Sequence, residues 1–399
     1  MLKANYDYLT FKLDAEKHKS RLEKIKTQPA PDFEKTQPDL GGIEKEAKKY
    51  KKYKNIILIG NGGSRTSSWA FYNALFEFRN KVNFAFLSSA EPDLIRSLRK
   101  KYSKRDTLAL AISKSGDNIN AVEPLLLMKD YPVLVVTGKN SNPFRRMAEI
   151  KKWPVFEHPE VGGRFSGMTA CALFPAALMG LPLEEIYAGA CDGYKEYNSR
   201  APLEKNAALK LALALYELEQ RGYVEIFTSI YSTALSEMLP LITQLIHESV
   251  GKNGKGQTIY GGYSPETHHH TNQRFFGGVK NAVGLFWGVE NRKGDMAIKI
   301  PKNLAAIPFK DRTVGSLNGI LAGDTMKYDM GGAIGHAKEE KIPAVEIWTK
   351  EITERSVGEC MVFWQYVAFY ASLLRDIDPF NQPEVERAKV ISFKLRTGK

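Results

Sequence analysis

Short aliphatic runs separated by helix-length segments constrain this chain more than any other feature. Asn55-Ile56-Ile57-Leu58-Ile59-Gly60 is apolar on both faces of an extended backbone, so both faces have to be covered. Comparable runs recur at Asn83 to Leu87, Leu108 to Ile112 and Val133 to Val136. Helical patterns fall between them, from Ser67 to Phe78 and near 91–101, 118–128 and 143–150. This alternation predicts a parallel sheet with helices on both faces. Helices dominate from about 167 to 221, and a second series opens at Val224-Glu225-Ile226-Phe227-Thr228. Its long helix is expected from about Ala234 to Val250, with strands near Ala282 to Val289, Met296 to Ile300 and Ala344 to Trp348. Helices are expected near 314–323 and 356–374, and a last one from Gln382 to Leu395. The fold class is therefore α/β, with two doubly wound parallel-sheet halves.

The expected divisions are an N-terminal arm at 1–42, a first half at 43–197, a second at 198–377 and a C-terminal helix at 378–399. The stretch Gly193 to Pro202 reads as the loosest and marks the junction. At 399 residues the chain exceeds one core of ordinary size, which agrees with two halves. No apolar run is read as approaching the roughly 20 residues of a membrane span, and the charged N-terminus has no apolar signal core. The three cysteines, Cys171, Cys191 and Cys360, match neither a disulfide framework nor a zinc pattern and suit a reducing, cytoplasmic setting. The net charge of +12 comes from 57 basic and 45 acidic residues spread along the chain. Without an Arg-rich tail or a nucleic-acid motif it reads as a lysine-rich surface that draws anionic small molecules, not as a nucleic-acid interface.

In such sheets ligands sit beyond the carboxyl ends of the strands. That rule selects three loops of the first half, at 60–64, 113–118 and 161–167. Gly60-Asn61-Gly62-Gly63-Ser64 opens a helix and can cradle a phosphate or sugar with its N–H groups and the Ser64 hydroxyl. It is neither a P-loop nor a dinucleotide fingerprint, and it is nearly as well read as a tight turn. Ser113-Lys114-Ser115-Gly116-Asp117-Asn118 is the better phosphate cup, although Asp117 opposes an anion unless it turns away as a helix cap. Val161-Gly162-Gly163-Arg164-Phe165-Ser166 sets an always-charged planar donor beside a helix start, in reach of an anionic oxygen or of a salt-bridge partner.

Glu248 ends a largely apolar helix and shares a face with Gln244, four residues earlier, so it is a candidate general base as well as an ordinary exposed carboxylate. His268-His269-His270 cannot aim three rings at one point, and no cluster nearby completes a metal site, so one acid/base histidine is the preferred reading. His158, His247 and His336 read as structural. Gln382 and Lys389 lie two turns apart on one face of the last helix. Asp378-Pro379-Phe380-Asn381 before them reads as a turn with a capping amide.

Together these motifs resemble the phosphoglucose isomerase family, aldose–ketose isomerases built from two sugar-isomerase (SIS) domains of flavodoxin-like type. The matching pieces lie in order across roughly 59–389. The most specific are VGGRFSGMTA at 161–170 and DPFNQPEVERAK at 378–389, supported by QLIHESVGKNGKG at 244–256 and HHHTNQRFFGG at 268–278. The resemblance implies reversible isomerisation of glucose 6-phosphate and fructose 6-phosphate through a cis-enediolate, in glycolysis and gluconeogenesis, with no cofactor and no metal. It implies Glu248 as the proton-transferring base and Arg164 as the stabiliser of the enediolate. Lys389 and one histidine are then the ring-opening pair. Gln273 points to His269, with His270 the alternative. Gly63, Ser64, Ser113, Lys114, Ser115, Asn118, Gln244 and Gln382 are implied around the substrate, with the C-terminal helix returning to the site. A homodimer with shared active sites is implied, the triple-histidine segment crossing between chains. Gly116-Asp117-Asn118 departs from the family's threonines, and Val385-Glu386-Arg387-Ala388-Lys389 from its usual Val-Glu-Leu-Gly-Lys. A non-catalytic sugar-phosphate sensor and an isomerase acting on mannose 6-phosphate are the alternatives; neither a membrane nor a nucleic acid is an expected partner.

Overall fold

The computed structural model of the chain describes residues 2–76 and 82–398; the end of the helix expected to reach Phe78 lies outside them. The strands are β1 (Lys3–Asn5), β2 (Asn55–Ile59), β3 (Asn83–Leu87), β4 (Thr107–Ser113), β5 (Val133–Thr137), β6 (Val155–Glu157), β7 (Glu225–Ile230), β8 (Thr258–Tyr263) and β9 (Ala282–Val289). A short hairpin of β10 (Pro308–Phe309) and β11 (Arg312–Thr313) precedes β12 (Ala344–Thr349).

The first sheet has the order β3-β2-β4-β5-β6 and is parallel throughout. The second has the order β1-β12-β9-β7-β8 and is parallel except at β1, which pairs antiparallel with β12. The arm therefore does more than pack over the body, because its first residues add an edge strand to the second sheet. In each half the earliest core strand, β2 or β7, lies between the next two. Strand order reverses at β2/β4 and at β7/β9, and a crevice opens beyond the strand ends at such a point.

Both faces of β2 are covered, as its composition requires. Ile56 and Leu58 enter the main core, whereas Ile57 and Ile59 enter a second core on the opposite face. The main core is shared by the two halves. Its axis is the helix Glu354–Leu374, packed against Leu183–Tyr197, Ala207–Gln220 and Leu239–Val250. A Cβ on Gly358 would overlap the carbonyl oxygen of Ile186, and one on Gly189 the carbonyl of Arg355, so this pair of helices touches backbone to backbone. By length and composition this 21-residue helix could span a bilayer, contrary to the reading of the sequence, but 94% of its apolar window is buried inside the protein.

Other expectations fail for local reasons. The helix expected over Ala234 to Val250 is two, Thr233–Ser236 and Leu239–Val250, because Pro240 starts a new first turn. The helix Leu183–Tyr197 runs through Gly193, so the loose stretch begins only at Asn198. Met296 to Ile300 forms no strand beyond one bridge, Ala297 with Leu321. Within 314–323 there is a short 3-10 turn, Val314–Leu317, and the true helix is Ala322–Glu339. The tail begins as a 3-10 turn, Pro383–Val385, before the helix Glu386–Thr397.

Candidate active site

The three loops selected by the strand-end rule surround a cavity of about 590 Å³ at the β2/β4 crevice. Its wall includes Gly63, Ser64, Ser113, Lys114, Ser115, Asn118, Arg164, Gln244, Glu248 and Gln382. The first loop leaves β2 at Ile59 and enters the helix Gly63–Phe71, so the free N–H groups of that helix face the cavity. A Cβ on Gly63 would overlap the carbonyl oxygen of Gly163, and this close approach joins the first loop to the third. Thr66 Oγ1 donates to Gln244 Oε1 at 2.8 Å, fixing the amide on the helix that carries Glu248.

The second loop is shaped by its own side chains. Ser113 Oγ accepts the Gly116 N–H at 3.1 Å. Asn118 caps the helix Ile119–Leu127, its Oδ1 accepting the Asn120 N–H at 3.0 Å. The cap is thus Asn118 and not Asp117, which is exposed and lines a neighbouring groove instead. Lys114 is ion-paired with Glu160 at 3.1 Å, so an anion entering the cup has to compete with a carboxylate.

Arg164 stands in the 3-10 turn Gly163–Met168 and is only 3% exposed. Its Nε donates to Ser249 Oγ at 2.8 Å. Nη1 donates to Glu248 Oε2 at 3.0 Å and to Gln382 Oε1 at 2.9 Å. Nη2 donates to the carbonyls of Pro379 at 2.5 Å and Asn381 at 3.0 Å. Burial pulls its proton affinity down, opposed by the charges of Glu248 and Asp378. Glu248 holds its other oxygen, Oε1, at 3.0 Å from Gln244 Nε2. The long core helix steadies both partners: Gln365 Nε2 donates to the Phe165 carbonyl at 2.9 Å, and Ser372 Oγ to the Ser249 carbonyl at 3.1 Å.

The loop at 378–382 is held by a second cation. Lys252, 5% exposed, donates Nζ to the carbonyls of Asp378 and, at 2.8 Å, Asn381, and to Asn381 Oδ1 at 3.0 Å. Burial lowers the Lys252 pKa, and the nearby Arg164 charge lowers it further. The Asn381 amide is therefore a lysine partner and not the expected helix cap. Nothing in its own position signalled Lys252, because a lysine among glycines reads as solvated.

The remaining expected residues do not converge within one chain. Lys389 is exposed, with Nζ at 2.7 Å from Glu386 Oε1, and it lines a groove that shares Ser115, Asn118 and Gln382 with the cavity. His269 is exposed at the end of a 3-10 turn and does not line the cavity. His268 is tied to the Tyr231 hydroxyl at 2.7 Å, and His270 Nδ1 to Thr271 Oγ1 at 2.5 Å. His247 and His336 have packing roles: His247 Nε2 accepts the Ile259 N–H at 3.0 Å, and His336 stacks on Phe276. His158, also read as structural, is 1% exposed and borders the cavity, its Nδ1 bonded to the Pro159 carbonyl at 2.7 Å. Among the described residues, no group of three or more His, Cys, Asp or Glu side chains is placed to hold a metal ion.

Residues 39–283, more than half of the chain, match the family model for phosphoglucose isomerase. Glucose-6-phosphate isomerase of Methanocaldococcus jannaschii is 27% identical over 351 residues, covering 86% of this chain and 84% of that one. A Thermus thermophilus enzyme of the same name is 28% identical over 371 residues, with coverage of 86% and 84%. Among solved structures, a Thermus thermophilus protein described as hypothetical superposes with a TM-score of 0.89 at 24% identity, over 99% of both chains. A glucose-6-phosphate isomerase from Chlamydia trachomatis gives 0.83 at 16% identity, over 99% of this chain and 88% of that one. At these identities the structural likenesses speak for the fold. The two parallel sheets, each with a reversal of strand order, define a doubly wound α/β protein, the fold these solved structures share. Within that class, the chain belongs to the phosphoglucose isomerase family.

Proposed function

We propose that the chain performs the reaction its family is named for, the reversible interconversion of glucose 6-phosphate and fructose 6-phosphate, with Glu248 as the base. The observation that carries this reading is the Glu248 carboxylate, held between Arg164 and Gln244 on the wall of a cavity whose far side is a serine–lysine cup. A phosphate in that cup, held by Ser113, Lys114, Ser115 and Asn118 with Gly63 and Ser64 opposite, anchors a flexible sugar so that its binding orients the reacting carbons. In the open aldose Glu248 takes the proton from C2, and the C–H electron pair forms the C1–C2 double bond while negative charge passes to O1. The charge that Arg164 faces then moves from the carboxylate to the enediolate, so a fixed guanidinium balances it at both stages. A proton shifts from O2 to O1, Glu248 returns its own proton to C1, and the ketose results.

Ring opening requires a proton for the ring oxygen. We assign it to Lys389 and to His269 of a second copy of the chain. Since His269 stands apart from the cavity of its own chain, this reading needs a homodimer. The divisions 1–42, 43–197, 198–377 and 378–399 and a cytoplasmic location accompany the same reading. The test is conversion of fructose 6-phosphate by purified protein in a coupled assay with EDTA, with mannose 6-phosphate in parallel. EDTA-resistant turnover is the expected result. Tight sugar-phosphate binding without turnover would replace it with a sensor.

A further inference from the structure

The wall of the cavity is balanced in charge. Among the described residues it carries two cations, Lys114 and Arg164, and two carboxylates, Glu160 and Glu248. Each cation is already paired, Arg164 with Glu248 at 3.0 Å and Lys114 with Glu160 at 3.1 Å. The two pairs differ in freedom. Arg164 is 3% exposed, and every nitrogen of its guanidinium is hydrogen-bonded. The Lys114 and Glu160 side chains are 36% and 64% exposed, and neither has another ion pair among the described residues. An anion that enters the cavity can therefore displace Glu160 but not Glu248.

The backbones beneath the movable pair are fixed. The Gly138 N–H donates to the Lys114 carbonyl at 3.1 Å, and a Cβ on Gly138 would crowd that carbonyl at 2.9 Å. The same Cβ would lie 3.6 Å from Glu160 Oε1, which places the carboxylate just beyond the end of β5, beside the cup. Glu160 stands in a tight turn closed by the Val161 N–H, which donates to the Pro159 carbonyl at 2.9 Å, and Val161 is anchored in the main core. Beyond it Gly162 and Gly163 line the cavity, with no atom within 4 Å of where a Cβ would stand. The pair thus opens by side-chain torsions alone, and solvent receives the carboxylate.

We propose that Glu160 is a displaceable stand-in for the substrate phosphate: it neutralises Lys114 in the empty cup, swings out when a phosphate arrives, and so sets the affinity of the cup below what the bare lysine would give. The proposal rests on the reading of the cavity as a phosphosugar site. Lys114 exchanges one anionic partner for another, and its charge is covered in both states. The exchange is easy because an ion pair this exposed contributes little. It also serves the reaction. The phosphate takes no part in the chemistry at C1 and C2 and is the same in aldose and ketose. An unopposed lysine would hold substrate, enediolate and product equally, and such uniform binding lowers KM without helping the chemical step.

The test uses the intact protein, inorganic phosphate as the probe, and Glu160→Gln, which keeps the size of an exposed side chain and removes its charge. Calorimetry should show phosphate bound about two- to fivefold more tightly by the variant, and the KM for fructose 6-phosphate should fall by a similar factor. Two readouts separate this from a structural effect. Phosphate affinity should decline more steeply with ionic strength in Glu160→Gln, where the lysine charge is no longer cancelled, than in wild type. In a Lys114→Met background the gain from Glu160→Gln should largely disappear, since no lysine is left to compete for. Phosphate binding unchanged or weakened in Glu160→Gln, equal salt dependence, or an equal gain without Lys114 would overturn the exchange. If Lys114→Met binds no measurable phosphate, the salt dependence decides. Phosphate binding by wild type without turnover of fructose 6-phosphate would overturn the isomerase reading instead, and the calorimetric comparison would still decide the role of Glu160.

Discussion

Arg164 and Glu248, 84 residues apart in sequence, meet through a hydrogen bond of 3.0 Å from Nη1 to Oε2, with the arginine 3% and the glutamate 28% exposed in their side chains. One partner is locked in the core and the other reaches into the cavity. The guanidinium gives its remaining hydrogens to Ser249, Gln382, Pro379 and Asn381, so it cannot follow a carboxylate that moves.

Glu248→Gln should therefore remove turnover and leave the site formed. The amide keeps the size and the contact with Gln244 but cannot take a proton. We expect kcat to fall by about 10²–10⁴-fold or more, with sugar-phosphate binding retained in calorimetry. Loss of binding together with turnover would point to the pocket's structure and away from proton transfer.

Arg164→Lys tests charge against geometry. Lysine keeps the positive charge but cannot serve five acceptors in a plane. A kcat loss of about 10²–10³-fold is expected, alongside a lowered melting temperature from the uncovered carbonyls. A variant with near wild-type kcat would show that charge alone suffices.

Lys252→Met should act through the loop at 378–382. Three oxygen acceptors on Asp378 and Asn381 lose their donor. The expected cost is about 1–3 kcal/mol in stability, with a raised KM because Gln382 is less well placed. Thermal melts and steady-state kinetics on the same preparation separate the two effects.

The proposed sharing of each site between two chains predicts complementation. Glu248→Gln and His269→Ala should each be nearly inactive alone, and mixing the two after dissociation should restore part of the activity, since a mixed dimer regains one complete site. No recovery from a mixture that sizes as a dimer would place the ring-opening group within the same chain.

The histidines set an acid limit. Burial holds His18, His247 and His268 below the ordinary value, with Glu217 opposing at His18 and Asp329 at His268. Near neutrality the unfolded chain then binds more protons than the folded one, so stability is full above about pH 6.5 and declines as pH falls toward the lowered folded values. His158 has the opposite sign, its stabilisation being present at low pH and lost as pH rises through its raised value. These three histidines should pull the melting temperature down by a few degrees between about pH 7.5 and 5.5, with His158 and the raised carboxyls of Glu196 and Glu346 acting the other way.

How much of this was legible depended on whether a residue's role is local. The strand at Asn55–Ile59 is written in its composition, and the loops after β2 and β4 follow from strand order, which is why that wall of the cavity could be placed. β8 was missed because Gly261 and Gly262 interrupt its apolar pattern. The helix Ala322–Glu339 was missed because four glycines dilute it. His158 carries no sequence signal, since its place on the cavity wall comes from the fold and not from its neighbours in the chain.

The helix Glu354–Leu374 has a consequence for how the protein is made. It covers the inner faces of helices that leave the ribosome long before it does. The first sheet can assemble early, but the ground beneath the Arg164 turn stays open until the helix Glu354–Leu374 has been made. A nascent chain halted before residue 354 will present that bare apolar seam to chaperones and proteases, and the helix that follows both closes the core and braces the Arg164 turn.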